Sequence, residues 1–536
     1  MLVNPMRLAM LLVCTVALEL GWLALWPLSA ALSHSALFTS ALLDSDPFIR
    51  LLLKATSSFE PGTSTETLTV VLGSWQYFVP AWSLAATLFS VACVYGIALL
   101  LFDRGFADHR LALALIAGGA LVFQTTLMWL PGIFSQDVFS YIAYGRLAAI
   151  YDLNPYVWPP SVLRDSVVPW VADVWRTYPA PYAPLWVSLQ WLLARATQDW
   201  SIVDQALLYR GFANALLLVN LGLAWRLLGR LTPLSMTQRV TSLAALAWNP
   251  LILFEIAANA HNDALMVTFC LLALLLFRAS SRGLLSCVAL TLGTLVKYLS
   301  GVGFLWLAFA SAARVRTWPR RGRRFAALVL ISVTITLLLA APWLELPDSL
   351  DPLVNETAGV GYVNSLPDTL VQVVVERSGA PLDAARGIER VLALALFAIY
   401  LVWEARHVWA DPTRAALARG LARSCLVYVV VASTSVQPWY FCLPLSIALV
   451  LGWRRRIARL TLAYSTLALP ALYLSYYLRE NTPFWIFVLY AFAPLAVLLP
   501  DVVVKWRRKP ALTNAPVQPR PVPQPPKHPV SLPTPD

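Results

Sequence analysis

Apolar runs of about 18 to 25 residues recur from one end of this 536-residue chain to the other. Wound as a helix, a run of that length matches the hydrocarbon thickness of a bilayer and satisfies its own backbone hydrogen bonds there. Charged residues make up only 13% of the chain, against roughly a quarter in a soluble core. The expected fold is therefore all-α, a polytopic bundle of about 14 transmembrane helices. The runs lie at about 6–31, 78–102, 111–131, 206–228, 241–259, 263–278, 284–297, 300–313, 325–342, 391–406, 424–436, 441–453, 459–478 and 484–504.

The net charge of +12 reflects topology. With the N-terminus inside, most Lys and Arg fall on cytoplasmic segments and most acids on outer ones, the bias expected because basic residues cross the membrane poorly. Arg320-Arg321-Gly322-Arg323-Arg324, Arg454-Arg455-Arg456 and Lys505-Trp506-Arg507-Arg508-Lys509 all fall inside. The even number of spans returns the C-terminus to the cytoplasm. A nucleic-acid partner is not implied, and the lipid bilayer is the expected surrounding.

Three outer segments, about 32–77, 132–205 and 343–390, are much longer than the cytoplasmic loops, so chemistry that needs room belongs outside. Residues 1–105 read as two N-terminal helices with an outer loop, 106–345 as a core module, and 346–509 as C-terminal helices with an outer loop. Residues 510–536 are Pro-rich, without apolar periodicity, and read as a disordered cytoplasmic tail. The first run is longer than a signal-peptide core and reads as an uncleaved helix. The six cysteines lie within predicted spans and contain no CxxC pair, so they read as small core residues. Asn355-Glu356-Thr357 is a formal glycosylation sequon on the outer side. Residues 182–196 carry apolar and polar positions at helical spacing, and a span there would reverse the charge bias. They read as an interfacial helix on the outer leaflet. The short runs 284–297 and 300–313 form a hairpin with Lys297 at its outer vertex.

Ionisable groups at membrane depth are costly and usually functional. Asp137 follows an apolar run and opens the longest outer segment; in a helix from 137, Ser140, Tyr141 and Tyr144 share its face. A helix cap or a solvated carboxylate is the plain alternative to a catalytic base. Glu255, Asn259 and Asp263, spaced by four, form a polar ladder that includes His261 and Asn262. It reads as a wall of the active cavity, with a hydrogen-bond lock between helices as the alternative. One histidine and one carboxylate do not specify a metal, so direct substrate binding and a divalent cation both stay open. Lys297 and Arg146, with Arg210 as a further candidate, supply cations for a phosphate; snorkelling is the alternative for lysine. Tyr141, Tyr144 and Tyr182, with Trp439 and Tyr440 at another outer boundary, offer amphipathic rings suited to a sugar or lipid head. Walker, dinucleotide and HExxH patterns are missing from the sequence.

Asp137-Val138-Phe139-Ser140-Tyr141 with Gly145-Arg146, Asn154-Pro155-Tyr156, Tyr182-Ala183-Pro184-Leu185, Trp248-Asn249-Pro250-Leu251, Ala260-His261-Asn262-Asp263-Ala264-Leu265-Met266 and Val296-Lys297-Tyr298 follow one another over about residues 111–313. This series resembles the GT-C class of integral-membrane glycosyltransferases, and within it the bacterial polyprenol-phosphate-mannose-dependent α-mannosyltransferases. The resemblance implies a catalytic aspartate at Asp137 and an amphipathic helix at 182–196. It further implies a polyprenyl-phosphate sugar donor presented at the outer leaflet, a glycan or glycolipid acceptor, and α-mannosyl transfer by inversion in cell-envelope biogenesis. The setting it implies is the bacterial cytoplasmic membrane, with an extracytoplasmic active site and both termini cytoplasmic. A lipid-linked-sugar flippase or another secondary transporter is one rival reading, since polar residues also line transport paths, and a non-catalytic membrane scaffold, for which Asp137 and the 255–263 ladder would be dispensable, is another.

Overall fold

The computed structural model describes residues 5–32, 75–105, 108–277, 283–350, 364–478, 486 and 488–497. Most of the first outer segment, the sequon at Asn355 and the Pro-rich tail 510–536 lie outside the described residues. Within them the chain is helical, with no strand. The N-terminal helices are α1 (Pro5–Leu32), α2 (Trp75–Asp103) and α3 (His109–Met128). The first large loop that the structure describes carries α4 (Asp137–Ile150) and α5 (Pro184–Ala196). Next come α6 (Ile202–Leu227), α7 (Met236–Ala247), α8 (Asp263–Leu276), α9 (Leu284–Thr294), α10 (Val302–Ala313) and α11 (Trp318–Ala340). The last third holds α12 (Leu366–Ser378), α13 (Leu382–Ala410), α14 (Arg414–Val427), α15 (Cys442–Leu449) and α16 (Arg456–Leu478).

Local chemistry fixes several boundaries. Asp108 accepts from Arg110 N–H (2.8 Å) to start α3, and Ser201 caps α6. Ser235 and Gln238 form a reciprocal capping box at α7. Pro184 opens α5, where a missing N–H costs nothing. The expected amphipathic helix is present there: Trp186, Val187 and Gln190 are buried while Trp191 and Leu192 are exposed.

Among the described residues, eight helices are long and apolar enough to cross a membrane, against the about fourteen spans expected over the whole chain. Five further apolar helices run only 10–17 residues, among them Asp263–Leu276, Leu284–Thr294 and Pro438–Leu449. The predicted span 391–406 falls inside the 29-residue α13. The shortening has a physical cause. The chain around 259–262, 295–301 and 433–441 leaves regular α-helix, which is tolerated at membrane depth only where backbone is packed in protein or lines a cavity.

The loops segregate to two ends. At one, Arg454 pairs with Asp103, Thr232 donates to Leu451 O (2.8 Å) and Arg414 Nε to Phe277 O (2.8 Å). At the other, Leu185 N–H donates to Leu295 O (2.9 Å) and Asn154 Nδ2 to Trp343 O (2.9 Å). The core between is dense around Trp248, which sits edge-on to Phe102 and Phe123 and donates to Ile116 O at 3.0 Å. Losing such a ring typically costs about 3–5 kcal/mol. The Trp248-Asn249 pair is thus a packing and capping device, with Asn249 accepting from Ile252 N–H at 3.1 Å.

Candidate active site

Asp137 is the first residue of α4, one step beyond the N-cap position held by Gln136, so the carboxylate is not spent as a cap. Its place at the first turn favours a negative charge through the helix dipole. The approach to Asp137 is irregular chain held from three sides. Arg210, fully buried in α6, donates to the carbonyls of Leu130 (2.7 Å), Gly132 (2.8 Å), Met128 (3.2 Å) and Ala258 (2.8 Å). Asn259 Oδ1 accepts from Phe134 N–H at 3.3 Å. Gln136 Nε2 donates to Trp170 O at 3.1 Å. Behind Asp137, α4 crosses α5 at Gly145, where a Cβ would lie 2.4 Å from Gln190 O. Only glycine permits that approach.

The polar ladder does not run along one α-helix. Leu253–Ala258 form a π turn, the chain breaks at 259–262, and α8 starts afresh at Asp263. Ala260 adopts φ +59°, left-handed backbone that a residue with a Cβ rarely takes. Strain of this kind is of order 1–3 kcal/mol and clusters at functional sites. Its effect here is directional. Asn259 still reaches Glu255 Oε2 (3.1 Å), whereas His261 folds back to stack on Trp439, ring centroids 3.8 Å apart, and Asp263 turns to Lys297.

These elements enclose a cavity of about 760 Å³, in the range of small-molecule sites. Asp137, Tyr182, Lys297, Trp439 and Tyr440 line it, as do Ser135, Trp175, Tyr298, Phe397, Tyr428 and Tyr473. The Asp137 side chain is 15% exposed and its Oδ2 lies 3.6 Å from His261 Nδ1. Burial pushes its carboxyl up to about 6; Lys297 opposes that and the Asp263 charge adds to it. Lys297 Nζ donates to Asp263 Oδ2 at 2.8 Å and sits 4.8 Å from the Tyr440 ring centroid. Its side chain remains 20% exposed while Asp263 is sealed, so the remaining ammonium donors have a route to the cavity. Among the described residues no group of three His, Cys, Asp or Glu is arranged to hold a metal ion. The Lys297 ammonium already occupies the cation position against Asp263.

Of the remaining sequence candidates, Glu255, Asn259, His261, Asn262 and Asp263 are buried immediately behind the cavity wall. Tyr141 packs edge-on to Tyr182 and Trp186, 5.1 Å from each, and Tyr144 donates its hydroxyl to Tyr178 O at 2.8 Å, so both build the loop and neither lines the cavity. Arg146 is held by Asp165 at 2.9 Å, with Tyr151 donating to the same carboxylate, and is absent from the lining. Arg210 is likewise a backbone clamp. Residues of the last third went unrecognised in the sequence: Tyr473 donates to Glu255 Oε2 (3.4 Å), and Phe397 and Tyr428 form the apolar side of the cavity. The only signal for Tyr473 was an aromatic cluster near a span end, which an interfacial belt explains equally well.

The profile of the family described as "Alpha-(1->6)-mannopyranosyltransferase, N-terminal domain" matches residues 28–316, more than half of the chain. Alpha-(1->6)-mannopyranosyltransferase A of Mycobacterium tuberculosis is 26% identical over 377 residues, covering 64% of this chain and 68% of the relative. Alpha-(1->6)-mannopyranosyltransferase B of Corynebacterium glutamicum is 27% identical over 277 residues, covering 48% and 43%. No solved structure matches the chain. The matched stretch contains Asp137, the broken helix at His261 and the Lys297 vertex, and the chain belongs to the alpha-(1->6)-mannopyranosyltransferase N-terminal-domain family.

Proposed function

We propose that this chain is a GT-C-type mannosyltransferase. In this reading it takes mannose from a polyprenyl-phosphate carrier at the outer leaflet and delivers it, with inversion, to a glycan or glycolipid acceptor. The observation that carries the reading is the shared cavity of Asp137 and Lys297, a carboxylate and an ammonium on one aromatic-lined space within a bundle of apolar helices. The names of the relatives supply the sugar and the α-(1->6) linkage.

A polyprenyl phosphate leaves readily once its developing charge is met by a cation, and Lys297 is the cation that lines the cavity. The acceptor hydroxyl is a weak nucleophile and needs its proton removed as the new bond forms. Asp137 takes that proton, for which general-base assistance is worth roughly 10²–10⁴ in rate. Tyr182, Trp439 and Tyr440 provide flat faces with polar edges for the sugar ring. The apolar side made by Leu299, Val302, Phe397 and Tyr428 suits the first isoprene units of the carrier. Attack in one step requires no covalent glycosyl-enzyme.

The test is reconstitution of the purified protein with labelled polyprenyl-phosphate sugars and a panel of saccharide and lipid acceptors. Mannosylated product formed from the β-linked donor, with α configuration, is expected. Movement of intact donor across the bilayer without product would overturn the reading in favour of a transporter.

A further inference from the structure

Behind Asp137 lies a row of groups that base catalysis by a single carboxylate does not require. His261 Nδ1 faces Asp137 Oδ2 at 3.6 Å and His261 Nε2 faces Glu255 Oε2 at 3.3 Å. The imidazole is sealed from solvent and its plane is fixed by the stack on Trp439, with 21° between the rings. Neither ring nitrogen makes a well-formed hydrogen bond, and Glu255 Oε1 is also buried without one. Buried polar atoms are normally satisfied, so three open positions in one row call for a reason. Glu255 Oε2 is itself held by Asn259 and Tyr473. Asp263 faces the row with Lys297 as its partner. Three carboxylates thus share one ammonium and one imidazole, and sealing that much negative charge from water favours keeping a mobile proton among them.

We propose that Asp137, His261 and Glu255 form a proton relay, in which His261 takes from Asp137 the proton lost by the acceptor and hands its own proton to Glu255. The relay rests on the transferase reading above. The acceptor O–H bond breaks as its oxygen bonds the anomeric carbon, and the bond from that carbon to the phosphate oxygen breaks with its electron pair leaving on the phosphate. The proton arrives on Asp137 Oδ2. It then passes to His261 Nδ1 while the Nε2 proton passes to Glu255 Oε2, so Asp137 is again a carboxylate and the imidazole again neutral. After product leaves, the same pair of transfers in reverse returns the proton to Asp137, which releases it to water entering the cavity. His261 and Glu255 act through Asp137 and are positioning residues for it; of the three, Asp137 alone meets the substrate.

The experiment measures turnover in the reconstituted full chain with the β-linked mannosyl donor, in mixtures of light and heavy water, for wild type, Glu255→Gln, His261→Gln and the double variant. Wild type should show a curved dependence on deuterium fraction, reporting more than one proton in flight. Each single variant should lose roughly 10-fold or more in kcat with KM for donor and acceptor unchanged, and its dependence should become linear. The double variant should be no slower than either single one, as expected of groups acting as a unit. A structural lock between helices would instead lower the melting temperature of the variants, add in the double variant and leave the isotope dependence curved. Those results overturn the relay. Asp137→Asn separates the two levels of inference: if it stays active, the base assignment itself fails. If it is inactive while Glu255→Gln and His261→Gln turn over like wild type, the relay alone fails.

Discussion

The acid limb of the pH–rate profile should belong to Asp137. With its carboxyl pushed up to about 6, mainly by burial, the group is about nine-tenths ionised at pH 7 and about one-tenth at pH 5. A base must be unprotonated to act, so kcat/KM is retained above pH 6 and falls about 10-fold between pH 7 and pH 5. Replacing the lysine tests the cause of the shift as well as its owner. Lys297 lowers the Asp137 value, so Lys297→Met removes that help and moves the limb to higher pH. Asp137→Asn keeps the side-chain shape and abolishes the base, for a loss of roughly 10²–10⁴ in kcat, or about 3–5 kcal/mol of transition-state stabilisation. Donor binding should persist in that variant, because the proposed phosphate contact is elsewhere. The assay is initial-rate transfer of labelled mannose in vesicles buffered from pH 4.5 to 8, paired with donor binding to the Asn variant. A flat profile between pH 5 and 7, an unmoved limb in Lys297→Met, or an Asn variant within a few-fold of wild type would refute the reasoning.

Three further outcomes follow from the same geometry. Lys297→Ala should raise the KM for donor more than that for acceptor in steady-state kinetics, and equal donor dependence would return the lysine to a headgroup-snorkelling role. Arg146→Ala should leave the donor KM unchanged and lower the unfolding temperature, since it removes mostly buried hydrogen bonds to the Asp165 carboxylate, a loss on the order of 1–3 kcal/mol. Arg210→Met should leave four carbonyls around the Asp137 approach without their donor. It should cost several kcal/mol of stability and much of kcat together, with Arg210→Lys restoring part of both in thermal shift and turnover measurements.

Apolar length placed the helices well because a bilayer imposes one thickness on every span. Asp137 and Lys297 were legible for a related reason: each is an ionisable residue beside an apolar run, where chance placement is costly. Long-range pairing was not legible. Nothing near Arg146 in the chain signals Asp165 as its partner, and nothing in α6 shows that Arg210 gathers carbonyls from residues 128–132 and 258. Spacing by four over Glu255, Asn259 and Asp263 assumed a continuous α-helix. The π turn and the left-handed Ala260 are decided by tertiary packing and leave no period to read. The short helices were hidden for the same reason, since a run of apolar residues does not show where a helix stops at a cavity.

The cavity is built by two stretches of chain, one within the part that the family profile covers and one beyond it. Asp137, His261 and Lys297 fall inside the stretch the family profile covers, residues 28–316, whereas Phe397, Tyr428, Tyr473 and Tyr476 lie beyond it. The two walls can therefore be altered separately by mutation. Exchanging residues 397–476 between two relatives would replace Phe397, Tyr428, Tyr473 and Tyr476 together and leave Asp137 and Lys297 in place.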